Sequence, residues 1–188
     1  MRFNVLIIGL LLSLSACFNT RPIEPPDSNN SAWVSPTDYE ILLSNFKTAI
    51  QSGNIQNYLR CLKQETYRFT PAPAVFNGHE SVWQNWRNTD EQTYFNSVLA
   101  NIGSANISLS FSDVQIQGNT TGNDSLKYLA KYSLTVPHTK TNLPKTFKGQ
   151  IQLVIQLNLY NECEITRWAD VETAKDSSWS GLKLGFVQ

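Results

Sequence analysis

Two histidines are the residues of this chain most suited to acid–base or metal chemistry. His79 and His138 lie in predicted loops, next to Gly78 and Pro137. Neither histidine has a second histidine, cysteine or carboxylate at the spacing of a metal site, so we expect no metal and no cofactor. A solvated side chain is the simpler interpretation of both histidines, and His79 remains a weak catalytic candidate.

Asp170 is the other weak catalytic candidate, because it follows Trp168 near the end of a predicted strand, where the mouth of a pocket could lie. A carboxylate that loses its water there has a raised pKa and can act as a general base. The alternative interpretation is structural, with Asp170 pairing with Arg167 or capping the next turn. We favour the structural interpretation, so the sequence indicates no complete catalytic set.

Several tryptophans and tyrosines could line a pocket between helices and sheet. Aromatic walls with few polar groups suit a flat apolar ligand, although the same residues equally suit an ordinary core. The ordinary core is the default interpretation. The ligand-binding candidates are Tyr67, Trp83, Trp86, Tyr132 and Trp168.

Cys17 ends a short apolar segment that has the form of a secretory signal. Arg2 supplies its positive charge, and the apolar run over residues 5–12 is too short to span a bilayer. The sequence Leu-Ser-Ala-Cys at residues 14–17 resembles a bacterial lipobox. That resemblance implies cleavage before Cys17, lipidation of its thiol and acylation of the new amino terminus. An ordinary secretory signal with an accidental cysteine is the alternative.

The expected lipidation site divides the chain into three parts. Residues 1–16 are the lipoprotein signal peptide, residues 17–34 the lipidated cysteine and a flexible tether, and residues 35–188 one folded domain. The tether has three prolines and no periodicity, which is typical of disorder. Phe18 stands where an aspartate would favour the inner membrane, so we expect the outer membrane. The zero net charge gives no reason to expect nucleic acid as a partner.

Two cysteines remain in the folded domain once Cys17 is lipidated. In an oxidising compartment Cys61 and Cys163 could pair, provided that their Cα atoms lie within about 7 Å. Two buried thiols are the favoured alternative. The spacing in the sequence does not decide between a disulfide and two free thiols.

Helical periodicity dominates the first half of the domain. Ser35 and Pro36 predict the start of a helix whose apolar stripe covers residues 39–50 and which stops at Gly53. Asn54 then caps a second, short helix. The further predicted segments are a strand at 66–70, a loop at 75–79, and helices at 80–87 and 89–102.

The second half alternates with a period of two, which predicts strands. The clearest case covers residues 147–159, where an apolar residue occupies every second position, and we expect a return strand at 163–168. Earlier strands are predicted at 107–116, with a bulge, and at 128–136, while residues 179–186 form a turn or an edge strand. The prediction is therefore α+β, with N-terminal helices packed on one face of a curved, mostly antiparallel sheet.

This order of elements resembles the nuclear transport factor 2-like superfamily. The segments that carry the resemblance are FKTAIQSGNIQNYLRCL at 46–62, YRFTP at 67–71 and ITRWAD at 165–170. The superfamily includes ketosteroid isomerases, scytalone dehydratase and small polyketide cyclases, so the resemblance implies a cone-shaped domain. Its enzymes place acids, tyrosines or histidines inside the cone. We find no clear match to a catalytic Asp dyad or Tyr–Asp set.

The sequence therefore predicts a membrane-anchored lipoprotein whose domain binds without catalysis. The expected partners are the membrane through Cys17, an apolar small molecule or a protein, and a second copy through the sheet face. An isomerase, dehydratase or hydrolase of the polyketide-cyclase kind, using Asp170 or His79, is one alternative. A purely structural envelope component is the other.

Overall fold

The computed structural model describes residues 33–120, 125–172 and 177–188. Cys17, the signal peptide and most of the tether therefore lie outside the described residues. Within these ranges the helices share one hydrophobic core with a five-stranded sheet, so the predicted α+β architecture is confirmed. Every helix in the same ranges lacks the length and apolar character needed to cross a bilayer.

The order of helices and strands follows the predicted succession of a helical half and a strand half. The helices are α1 Tyr39–Ser52, α2 Ile55–Arg60, α3 Pro73–Phe76, α4 Glu80–Trp83, α5 Asn88–Ile102 and α6 Trp179–Val187. The strands are β1 Arg68–Thr70, β2 Ser108–Gln117, β3 Leu126–Thr135, β4 Thr146–Leu157 and β5 Cys163–Glu172.

The sheet has the strand order β1-β5-β4-β3-β2. Among these five described strands, β1 pairs in parallel with β5, with Phe69 opposite Trp168, and the other three pairings are antiparallel. The predicted bulge in β2 is confirmed between Ser112 and Gln115, where Asp113 has a φ of 52°. The edge strand β1 therefore connects the helical half of the chain to the antiparallel half.

Helix α1 starts later than predicted, because the hydroxyl of Ser35 is used elsewhere. Ser35 donates to the carboxylate of Glu162 on the β4–β5 turn. Asp38 is the N-cap instead, and its side chain accepts an N–H of the first turn at 2.9 Å. The end at Gly53, with a φ of 67°, and the cap of α2 by Asn54 are both confirmed.

Two short segments between β1 and α5 differ from the prediction. Helix α3 replaces part of the loop expected at 75–79, because Pro73 is well suited to a first helical position. Helix α4 stops after one turn instead of continuing to Arg87. The N–H of Arg87 donates to Asp90 at 2.7 Å, so this residue starts α5 and cannot extend the preceding helix.

The alternating apolar face of β4 is buried under the helices, as predicted. Phe147, Ile151, Leu153 and Ile155 are each at most 1% exposed. Leu159, which the period-two pattern also assigned to the buried face, is 98% exposed. That assignment was wrong because β4 ends before this residue and the chain has already entered the turn.

The last segment is a helix, whereas a turn or an edge strand was expected. Ser178 caps α6 by accepting the N–H of Gly181 at 3.2 Å. Two glycines, Gly181 and Gly185, weaken the helical signal in the sequence. Tertiary packing nevertheless holds the helix, because Leu182 and Phe186 join the common core.

We expect Gly149→Ala to lower the free energy of unfolding by about 1–3 kcal/mol, because the added methyl group overpacks the sheet at this position. An added Cβ would lie 2.6 Å from the Tyr132 hydroxyl and 2.8 Å from the Val171 carbonyl. Gly181→Ala is the matched control, because its nearest neighbour lies 3.8 Å away and alanine favours a helix. Urea unfolding should show a loss for the first variant and none for the second. Equal losses would contradict this packing.

Candidate functional site

The space between the helices and the sheet is filled by side chains, as the default interpretation of an ordinary core predicts. The cavity between α1, α5 and the sheet has a volume of about 10 Å³. That volume is at the lower limit for a single water molecule. Its lining includes Tyr58, Phe95, Leu134 and Trp179. A substrate could enter this space only after some of these side chains had moved.

A buried carboxylate organises one half of the interior. Glu91 on α5 is 0% exposed and forms an ion pair with Lys183 on α6, which is also 0% exposed. Glu91 also accepts hydrogen bonds from the hydroxyls of Tyr58 and Tyr67, each at 2.6 Å, and from the indole of Trp86 at 2.8 Å. We call these five residues the Glu91 cluster. It satisfies every charged group that it contains, as burial requires.

Aromatic rings surround the ammonium group of Lys183. Its Nζ atom lies 3.8 Å from the ring centroid of Phe69 and 4.0 Å from that of Trp168. Burial lowers the pKa of Lys183 to about 8, although the carboxylate of Glu91 favours its charged form. The amine is thus enclosed and bonded, and it does not face an open space in which it could act as a nucleophile.

Asp170 organises the other half of the interior. Its carboxylate accepts the Tyr132 hydroxyl at 2.8 Å and both the N–H and the hydroxyl of Ser180 at 2.6 Å. Burial raises the pKa of Asp170, while the hydrogen bonds from Ser180 and Tyr132 lower it. Ser180 lies in the first turn of α6, so Asp170 caps the segment that follows it, and Arg167 is exposed.

No protein-family model matches the sequence, and no curated protein sequence matches it. Solved structures do match. A proposed aromatic ring hydroxylase from Novosphingobium aromaticivorans has a TM-score of 0.54 at 13% identity, covering 77% of this chain and 92% of that one. A proposed scytalone dehydratase from the same organism has a TM-score of 0.55 at 11% identity, with coverage of 73% and 83%.

A third solved structure, the helical cell shape determining protein Pgp2 from Campylobacter jejuni, has a TM-score of 0.50 at 12% identity. The match covers 68% of this chain and 38% of that one. The domain has the nuclear transport factor 2-like fold. The sequence resemblance is thereby confirmed at the level of the cone architecture. Sequence identities this low give no basis for assigning an activity of these proteins to this chain.

The cone contains two buried polar pairs that the sequence analysis did not predict. Glu91 and Lys183 are 92 residues apart, and Tyr132 and Asp170 are 38 apart, so neither pair was visible as a motif. Tyr132 and Asp170 form a buried hydrogen-bonded pair, although the sequence analysis considered them only as separate candidates. One usable signal was Lys183 itself, which stands between Leu182 and Leu184 in an otherwise apolar segment.

All five aromatic candidates lie in the packed interior. Their exposed fractions do not exceed 4%. The rings of Trp83 and Trp86 have centroids 4.9 Å apart, and those of Trp168 and Trp179 are 4.6 Å apart. Tyr67 and Tyr132 use their hydroxyls on Glu91 and Asp170. These residues therefore fill the interior of the cone, and Trp83 alone among the five also borders a groove outside it.

The two histidines are separated from the carboxylates of the cone. His79 is partly exposed, and its Nδ1 atom lies 3.0 Å from the side-chain nitrogen of Gln188. His138 is 1% exposed and packs edge-on against Phe186, with ring centroids 5.4 Å apart. The expectation that His138 is solvated was wrong, because its loop folds under the end of α6 with Nε2 3.0 Å from the Pro144 carbonyl.

The two cysteines of the domain are buried free thiols, as favoured. Cys61 and Cys163 are both 0% exposed, and Cys61 donates to the carbonyl of Asn57 at 3.2 Å. Burial raises the pKa of both thiols, which makes them poor nucleophiles. In the described part of the chain, no three histidine, cysteine or acidic side chains come close enough together to hold a metal.

Several open grooves on the described residues lie outside the cone, and two of them bear on binding. One, of about 530 Å³, crosses the face of the sheet opposite the helices. Its lining includes Val114, Leu129, Lys131, Gln150 and Val171. The other, of about 450 Å³, lies beside β1 and is mainly apolar. Its lining includes Phe69, Pro71, Phe76 and Trp83.

We expect cooperative unfolding at alkaline pH. Burial raises the pKa of Tyr58, Tyr67, Tyr94 and Tyr132, whereas an unfolded tyrosine ionises near pH 10. Their stabilising contribution is complete below about pH 10 and is lost above it, at up to ~1.4 kcal/mol per tyrosine and pH unit. Lys183, whose pKa is lowered to about 8, has the opposite effect on stability, because its deprotonation at alkaline pH favours the folded state. It is a single group, however, and the four tyrosines outweigh it.

The measurement compares tyrosinate absorbance with circular dichroism between about pH 9 and pH 12. Exposed tyrosines such as Tyr160 ionise first, and the absorbance change of the four buried tyrosines should coincide with the loss of dichroism, because their ionisation requires unfolding. Ionisation of all tyrosines while the native dichroism persists would contradict the burial of their hydroxyls.

Proposed function

We propose that this chain is a bacterial envelope lipoprotein, held in the membrane by acyl chains on Cys17, whose cone domain binds a protein partner. The lipobox-like sequence supports the anchor. The observation that supports binding without catalysis is the position of α6. This helix inserts Trp179, Ser180 and Lys183 into the cone, and all three are at most 1% exposed.

Chemistry in the cone would need both open volume and an unoccupied acid or base. Helix α6 removes both. Lys183 neutralises Glu91, and Ser180 donates twice to Asp170. The Tyr132 hydroxyl, a natural partner for a bound ligand, accepts the N–H of Trp179 at 2.6 Å. An isomerase, dehydratase or hydrolase activity would require this helix to leave the cone first.

The face of the sheet opposite the helices is the surface that we assign to the partner. Val114 and Val171 are 49% and 41% exposed there, beside polar side chains such as Gln150 and Lys131. Apolar side chains surrounded by a polar rim are typical of non-obligate protein interfaces. The partner is either a second copy of this chain or another envelope protein.

Metabolic labelling with a radioactive fatty acid tests the anchor. The wild-type chain should carry label and sediment with membranes, and a Cys17→Ser variant should lose the label, because the thiol is the acceptor. Label that persists in the variant would refute lipidation at this residue.

Photocrosslinking in the producing cell tests the binding face. A photoreactive amino acid in place of Gln150 lies on the outer face of β4, and one in place of Gln92 lies on the exposed side of α5 as the matched control. We expect a crosslinked product only from position 150. The mass of the product distinguishes a homodimer from another partner, and absence of a product there would contradict the assignment.

An apolar small molecule is a second candidate ligand, favoured by the groove beside β1. Phe76 is 39% exposed at its rim, and Trp83 is the one aromatic candidate that borders open space there. An apolar fluorescent probe should bind to the wild-type chain and bind at least tenfold more weakly after Trp83→Ala. Equal binding by both chains would exclude this groove.

A further inference from the structure

Three large apolar side chains are exposed at one end of the domain. Leu159 and Tyr160 on the β4–β5 turn are 98% and 83% exposed, and Val34, just before α1, is 53% exposed. The two segments are joined, because the N–H of Cys163 donates to the carbonyl of Pro36 at 2.7 Å. We call these three apolar residues the tip.

The turn that carries Leu159 and Tyr160 is held in one conformation. The Asn158 side chain accepts the N–H of Tyr160 at 2.8 Å and that of Glu162 at 3.0 Å. Asn161 takes a left-handed φ of 59°, which asparagine tolerates. Single exposed apolar residues are ordinary on protein surfaces. Leu159 and Tyr160 are adjacent on a fixed turn and Val34 lies nearby, so these three residues form an apolar patch.

The first described residues, which are the ones nearest in sequence to Cys17, lie at this same end. Val34 is tied to α1, because the Asn45 amide donates to its carbonyl at 2.6 Å. Trp33 is the first described residue and stacks under the guanidinium of Arg60 at 4.2 Å. Fifteen residues, 18–32, separate it from Cys17. They reach at most about 50 Å, so the tip lies within reach of the surface that holds the anchor.

The chemistry of the tip suits the boundary between lipid and water. Tyrosine concentrates at the headgroup level of bilayers, and leucine partitions into the acyl region. The ionisable neighbours along these two segments are acidic, namely Asp38, Glu162 and Glu164. Arg60, which stacks on Trp33, is a nearby cation, but these acids oppose attraction to anionic lipid, so burial of apolar surface is the main driving force.

We infer that the tip is a second membrane contact, through which Leu159 and Tyr160 insert into the surface of a zwitterionic bilayer. The inference rests on the proposed anchor at Cys17. Strand β4 has 12 residues, which span about 40 Å. The loop between β3 and β4, at the opposite end of the strand, would then lie far from the lipid, and the anchored domain would have one orientation.

The test uses the full lipidated chain in phosphatidylcholine vesicles with brominated acyl chains. A fluorophore is attached in a Leu159→Cys variant, and the matched control is Thr141→Cys, which is exposed in the distant loop. Cys61 and Cys163 are buried, so labelling is selective. We expect at least twofold stronger quenching at position 159 than at 141, unchanged by added salt.

A further variant tests whether apolar character is the cause. Adding Tyr160→Asp to the labelled Leu159→Cys chain should lower the quenching at least twofold, while the acyl chains keep the protein on the vesicles. Equal quenching at positions 159 and 141 in vesicle-bound protein would overturn the tip contact and leave the anchor standing. Quenching at position 159 that appears only when another envelope protein is added would also overturn the tip contact. A chain that carries no acyl mass and does not float with vesicles would refute the proposed function itself.

Discussion

A chain with methionine in place of Lys183 is expected to lose about 3–5 kcal/mol in its free energy of unfolding. The substitution leaves the carboxylate of Glu91 fully buried without its cation. The hydroxyls of Tyr58 and Tyr67 still donate to it, but they carry no charge. An uncompensated buried charge costs far more than the ion pair itself contributes. Urea unfolding followed by circular dichroism measures the loss.

The exposed ion pair between Lys131 and Asp113 provides the matched control. Its side chains are 56% and 61% exposed at an N–O distance of 2.7 Å, so Lys131→Met should cost at most about 1 kcal/mol. Combining Lys183→Met with Glu91→Gln should recover part of the loss, because a neutral amide still accepts the tyrosine hydrogen bonds. Similar losses for the two lysine variants would contradict the buried position of Lys183.

Trp179→Ala is expected to cost about 3–5 kcal/mol and to open the cone. The indole of Trp179 packs between Phe46, Tyr132 and Trp168, with ring centroids 6.4, 5.3 and 4.6 Å away. Its removal leaves a cavity with apolar walls, since the surrounding side chains relax only in part. Free indole should bind there and raise the Tm of the variant, which thermal unfolding with and without indole measures.

Two controls accompany this variant. Tyr160→Ala removes an aromatic ring that is 83% exposed and should change stability by no more than about 0.5 kcal/mol. Indole should not raise the Tm of the wild-type chain, because its cone is already filled. If Trp179→Ala were as stable as wild type, the case for a cone occupied by α6, and so for a protein without catalysis, would fail.

The two proposals describe different surfaces of one anchored molecule. The tip would set the orientation of the domain on the bilayer, and the outer sheet face would then be available to a partner beside the membrane. The tests are independent, since the crosslinking sites on β4 and α5 lie away from the β4–β5 turn.

Much of the secondary structure could be predicted because its signals are local. The period of two over residues 147–157 and the Gly53-Asn54 junction each depend on neighbouring residues only, and both are confirmed. One error occurred where a distant partner intervenes. The sequence predicts Ser35 as a helix cap, but its hydroxyl donates to Glu162, which lies 127 residues away. The periodicity also gave no warning that the chain turns before Leu159.

By itself, the sequence determined the class of the fold and most of the apolar residues of the core, because burial follows from periodicity and apolar character. Only the tertiary structure decided what occupies the cone. The ion pair of Glu91 with Lys183 and the cap of Asp170 on Ser180 join residues from separate elements. Their charges are tolerable inside the core only because the chain topology brings the partners into contact, and no local pattern encodes that meeting.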